Sequence, residues 1–163
     1  MPCVPAPVIE KLYSKVNSMD VKQVNREDYQ DLIEVWESSV RATHHFLPEK
    51  NILELKPLIL QHYFDAVELR CITQDGKIAG FIGVADSNIE MLFVNPTYFG
   101  QGIGSQLIAY ASTHLVASKV DVNEQNPNAI AFYEKVGFKK VGRSELDGQD
   151  NAFPLIHMVR NGI

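Results

Sequence analysis

The spacing of apolar positions divides the chain into helical and strand-like stretches. "MDVKQVN" alternates and predicts a first strand. Asn25, with Asp28 three residues on, marks a helix start. Tyr29, Leu32, Ile33, Trp36 and Val40 then recur at helical spacing, predicting a first helix to about His44 with Trp36 on its inner face. The stretch 48–64, "LPEKNILELKPLILQHY", predicts a second helical region interrupted or kinked at Pro57, because proline has no amide to give the helix.

Three strand-like runs follow, "ELRCIT", "KIAGFIGVAD" and "IEMLFVN". Asp75-Gly76 between the first two is a strong hairpin signal, so an antiparallel meander is expected. Ile103, Leu107, Ile108, Ala111 and Leu115 mark another helix, and "SKVDVN" a short strand. A helix from Asn126 to Val136 ends at Gly137, placed where a helix passes into a left-handed cap. "FKKVGRSE" and "PLIHMVR" complete a mixed α/β order with no internal repeats or linker-like tracts.

Composition narrows the function classes. The 163 residues, 45% hydrophobic, suit one soluble domain over residues 19–163, preceded by an extension over residues 1–18 that is mobile or a short helix. A formal net charge of −5 argues against sequence-independent nucleic-acid binding, which needs a basic face, and favours an enzyme with a small-molecule substrate. Cys3 and Cys71 form neither a metal spacing nor a disulfide framework and read as unpaired thiols of a reducing cytoplasm. The opening "MPCVPAPVIEKLYSKV" is unlike a secretory leader, and no apolar run has the length of a bilayer span. His44 and His45 are adjacent, so on a helix they diverge by about 100° and do not chelate one metal; no metal site is expected.

The chemistry concentrates in "EMLFVNPTYFGQGIGSQLIAYA", residues 90–111, where strand passes through a glycine-rich turn into helix. Each glycine costs about 1 kcal/mol against alanine in helical surroundings, so Gly100, Gly102 and Gly104 imply close approach to that backbone. A helix N-terminus offers unpaired amides and the positive end of the peptide dipoles, which suits a pyrophosphate. A dinucleotide fold fits poorly: the spacing is G-x-G-x-G, residues 95–99 intervene after the strand, and a meander precedes it. A P-loop fails because Ser105-Gln106 supplies no lysine.

"VNPTYFGQGIGSQLI" resembles the acetyl-coenzyme A signature of the GNAT N-acetyltransferases, and "NPNAIAFYEKVGF" is similar to that family's later motif, with Asn126, Ala129, Tyr133, Gly137 and Phe138 at matching places. The resemblance covers roughly residues 20–160, and "SVRATHHFL" and "VNEQNPNAIAFYEKVGFKKVGRSE" are most similar to the YjaB-like group within the family. Phe99 departs from the pattern, standing where the family usually has Arg or Gln.

What the resemblance implies is a mostly antiparallel twisted sheet of about six to seven strands with about four flanking helices, in which two parallel strands splay apart. Acetyl-coenzyme A, as co-substrate, would lie between them. Its pantetheine arm would pair with Leu92, Phe93 and Val94, and its pyrophosphate would meet Gly100, Gln101, Gly102, Ile103, Gly104 and Ser105. Tyr133 stands where the family keeps the tyrosine that protonates the departing thiolate; its alternative is a core aromatic. Asn126 reads equally as a helix N-cap and as a coenzyme contact beside Ala129. Glu90, His44 and His45 are the candidate general bases. Alternation puts Glu90 with Leu92 and Val94 on one face, where it reads equally as a solvated edge carboxylate. The expected activity is acetyl transfer to a primary amine of a small molecule or peptide, without nucleic-acid or membrane partners. The reading from another class is a coenzyme-binding sensor without chemistry. Oligomeric state is left open, a homodimer included.

Overall fold

The computed structural model describes residues 21–160. The extension expected over residues 1–18, and Cys3, lie outside the described residues. The elements run β1 (Val21–Gln23), α1 (Tyr29–Thr43), α2 (Glu49–Leu58), β2 (Glu68–Gln74), β3 (Lys77–Ala85), β4 (Asn88–Val94), α3 (Ile103–His114), β5 (Lys119–Asn123), α4 (Pro127–Lys135), β6 (Lys139–Ser144) and β7 (Leu155–Val159). The strands form one seven-stranded sheet in the order β1-β2-β3-β4-β5-β7-β6. Every neighbouring pair is antiparallel except β4 with β5. The mixed α/β class, the strand number and the four helices agree with the expectation.

Local chemistry explains the boundaries. The Asn25 amide donates to Asp28 Oδ2 at 2.9 Å, half of a reciprocal capping box, and a short 3-10 turn, Arg26–Asp28, feeds α1. Helix α2 continues one residue beyond Pro57 and then widens into a π turn, Ile59–Tyr63, which is the form the expected interruption takes. Asp75 and Gly76 both have positive φ, 55° and 74°, as a two-residue hairpin matched to the strand twist requires.

The sheet is covered on both faces. Helices α3 and α4 pack with Ile82, Val120, Val122 and Met158 in one layer. On the other face α1 buries Leu32, Ile33 and Trp36 against a layer that contains Phe64, Phe81 and Met91. The start of α3 sits close on β3 at Gly80, where an added β-carbon would come 2.8 Å from Ile103 Cγ2 and 3.0 Å from the Phe93 carbonyl oxygen. Among the described residues no helix is long and apolar enough to cross a membrane.

Candidate active site

The site begins where the parallel pair comes apart. Strand β4 pairs with β3 through Val94, but with β5 only at Asn88↔Lys119 and Ile89↔Val120. Against β3, Val84 faces Ile89 and Gly83 faces Met91, so Glu90 is the extra residue of a β-bulge. Glu90 therefore has no partner on β3, while Leu92 and Val94 pair with Ile82 and Gly80. The bulge turns the strand's phase, placing Ile89 in the α3/α4 layer and Met91 in the opposite one. Beyond it, β4 has no ladder partner on the β5 side among the described residues. Leu92, Phe93 and Val94 instead border a cavity of about 710 Å³, which also reaches Val120–Asn123 of β5. Backbone groups left without a ladder at such a place need another partner.

The glycine turn closes one end of the cavity. Asn95 Oδ1 accepts from the Thr97 amide at 3.0 Å and starts a 3-10 turn, Pro96–Tyr98. Gly100 and Gly102 both have φ 78°, and Gly102 is the N-cap of α3 without any side-chain cap. Among the described residues the amides from Gly100 to Ser105 donate to no partner; the Gln106 amide is the first to bond, to the Gly102 carbonyl at 3.0 Å. The three glycines divide their work. Gly100 and Gly102 supply the left-handed backbone, whereas Gly104 lies within the helix, where an added β-carbon would come 3.2 Å from Phe132 Cζ. Its smallness admits α4. The Gln101 side chain bonds Gln74 at 2.9 Å and does not border the cavity. Phe99 borders it and is 45% exposed.

Tyr133 projects from α4 into the same cavity. It is 7% exposed and packs edge-on to Phe132 and Phe138, with ring centroids 5.3 and 5.4 Å away. Its hydroxyl has no hydrogen-bond partner among the described residues, and burial raises the phenol well above its ordinary range, which keeps the proton on. Asn126 caps α4 by accepting from the Ala129 amide at 3.2 Å, and it also borders the cavity, as Ala129 does.

The three candidate bases separate. His44 borders the cavity and its ring lies 6.3 Å from that of Phe93. Thr43 Oγ1 donates to the Ser39 carbonyl at 2.7 Å, so its contact with His44 Nδ1, also 2.7 Å, leaves the imidazole as donor. That assigns the proton to Nδ1 and the free lone pair to Nε2. Burial, and secondly the neighbouring His45, lower the His44 pKa below its ordinary value. His45 is exposed and does not border the cavity. Glu90 borders it and is exposed.

Sequence reasoning missed several lining residues. Asp121 and Asn123 alternate with the buried Val120 and Val122, so the period of two carried that signal. Asn128, Phe132 and Lys135 share one stripe of α4 at i, i+4 and i+7. Thr43 was legible only through its bond to His44. Among the described residues no group of three or more His, Cys, Asp or Glu is placed to hold a metal ion.

Comparison with known proteins agrees with this geometry. The family model described as acetyltransferase (GNAT) domain matches residues 54–161. The peptidyl-lysine N-acetyltransferase YjaB of Salmonella typhimurium is 34% identical over 141 residues, which is 86% of this chain and 97% of that protein. The solution structure of apo YjaB from Escherichia coli superposes with a TM-score of 0.77 at 31% identity, covering 88% of this chain and 98% of that one. The PaiA N-acetyltransferase of Thermoplasma acidophilum, solved in complex with coenzyme A, shares the fold, with a TM-score of 0.68 at 20% identity over 87% of this chain and 98% of that one. The glycine turn, the parted strands and the matched domain lead to one conclusion: the chain belongs to the GNAT acetyltransferase family.

Proposed function

We propose that the protein transfers an acetyl group from acetyl-coenzyme A to a primary amine, by direct attack within a ternary complex, with the side-chain amine of a peptide lysine or of a small molecule as acceptor. The observation that carries this reading is that Gly100 and residues 102–105, whose amides have no partner among the described residues, the free edge of β4 and Tyr133 all border one cavity. The groups present fit the coenzyme: bare amides suit its pyrophosphate, an unpaired strand edge suits its amide-bearing arm, and Lys135 adds a cation on the α4 wall. Relatives named peptidyl-lysine N-acetyltransferase support an amine acceptor.

When bound, the coenzyme supplies an acetyl thioester, and the chain supplies proton management and position. An alkyl ammonium must lose a proton before it attacks, a cost of about 4 kcal/mol at neutral pH. His44 Nε2, bare and beside the cavity, is the base of this reading, with Glu90 as its competitor. Tyr133 holds its proton through the neutral range and gives it to the departing sulfur. Leu92–Val94 align the thioester through their backbone.

Two assays test the reading together. Acetyl-coenzyme A at a hundredfold excess over Kd should stabilise the fold by about 2.7 kcal/mol, with no stabilisation by NAD. Thiol release should then appear with lysine peptides or polyamines. Coenzyme binding without turnover on any amine would favour a sensor, and stabilisation by NAD alone would reject the reading.

A further inference from the structure

Three residues far apart in sequence converge on the sheet face opposite α3 and α4. Val120 and Val122 bury into the α3/α4 layer, so Asp121 between them turns the other way. It stands opposite His157 in the β5–β7 register. His157 Nδ1 lies 2.5 Å from Asp121 Oδ1, and its Nε2 lies 2.6 Å from Ser144 Oγ at the end of β6. A carboxylate accepts only, so Nδ1 donates to it, and the imidazole is fixed from both sides. Of the three, only Asp121 borders the 710 Å³ cavity. Its second oxygen has no partner among the described residues, and Arg143 is occupied by Glu124 at 2.9 Å.

The position gives this chain its meaning. The β4–β5 ladder ends at Ile89↔Val120, so the next residues, Glu90 and Asp121, flank the point where the strands part. Two carboxylates therefore stand at the head of a cavity that Tyr133 also borders, only 7% exposed and with no partner for its hydroxyl among the described residues. We propose that Asp121, held in place by His157 and Ser144, is the carboxylate that docks the positively charged acceptor amine, so that the acceptor class is a cationic alkyl amine such as a lysine side chain. The inference rests on the acetyl-transfer reading above and adds the group that selects the acceptor. Asp121 touches the substrate; His157 and Ser144 are positioning residues that restrict the carboxylate's rotamers and leave its free oxygen for the ammonium.

The test compares Nα-acetyl-lysine amide with aniline, an acceptor uncharged at pH 8, alongside calorimetric titration with coenzyme A. Asp121→Asn should raise KM for lysine amide at least tenfold, with kcat, KM for aniline and the coenzyme Kd all within twofold of wild type. The rise of KM with added salt, expected for wild type, should disappear in the variant. Ser144→Ala frees His157 without touching the cavity and should raise the same KM two- to fivefold. An unchanged KM for lysine amide in Asp121→Asn, an equal rise for aniline, or wild-type turnover of aniline but not of lysine amide would overturn the inference and leave acetyl transfer standing. Failure of wild type to bind coenzyme would instead overturn the reading beneath it.

Discussion

Ile89 and Met91 stand two apart on β4, yet they bury into opposite layers of the core, because Glu90 between them is bulged out of the β3 register. The residue before it, Ile89, is the last at which β4 and β5 are joined. The phase slip and the mouth of the cleft thus lie side by side on β4. Deleting Glu90 would restore plain alternation, with Ile89, Met91, Leu92 and Phe93 keeping their present layers. The deletion variant should fold, with near-native circular dichroism, and should bind coenzyme at least tenfold more weakly because β4 can then continue its ladder with β5. Native affinity in this variant would separate the bulge from the cleft.

Tyr133 carries its proton in a buried setting that disfavours the phenolate. Tyr133→Phe keeps the ring and its edge contacts with Phe132 and Phe138 while removing the acid. Turnover should fall about 10²-fold or more, with the coenzyme Kd unchanged, as read by steady-state kinetics and calorimetry. Equal losses in both would make Tyr133 part of the pocket wall.

His44 gives a pH prediction with a definite sign. Its folded pKa lies below the ordinary 6.5, so the imidazole is neutral at pH 7 and the acid limb of kcat/KM should lie below pH 6.5. His44→Gln should remove that limb. Stability follows the same linkage: the unfolded chain binds the proton first, so the contribution is complete above pH 6.5 and is lost as pH falls from there through the folded value. Urea melts across pH 5–8 should show wild type losing more stability on the acid side than His44→Gln.

Val116 offers a stability test remote from the cavity. It ends α3 with φ 53° while 67% exposed, and the amides of Leu115 and Ala117 both bond the Ala111 carbonyl around it. A β-branched residue in the left-handed region costs about 1–2 kcal/mol, part of which glycine returns as unfolded-state entropy. Val116→Gly should stabilise the protein by about 1 kcal/mol without changing activity, as thermal melts and turnover would report.

Elements set by local chemistry were legible in the chain. The Asn25/Asp28 box, the Asp75-Gly76 turn and the glycine mouth of α3 each depend on neighbours within a few residues, and the structure has them in place. The bulge at Glu90 was not legible, because a polar residue at an alternating position looks the same whether it is in register or extruded. The second demand on Gly104, room for Phe132 of another helix, was not legible either, because no neighbour in the chain announces it. Nor does any spacing announce the meeting of Asp121, His157 and Ser144, which comes about because β7 inserts between β5 and β6.

In the proposed function the bare amides ahead of and within the first turn of α3 receive the coenzyme's pyrophosphate. An amide-resolved NMR titration with coenzyme A tests it most directly. Saturable downfield shifts of the Gly100, Gly102, Ile103, Gly104 and Ser105 amides, larger than those elsewhere on the sheet, are expected. Binding that leaves these five amides unmoved, or no binding at millimolar coenzyme, would contradict the account.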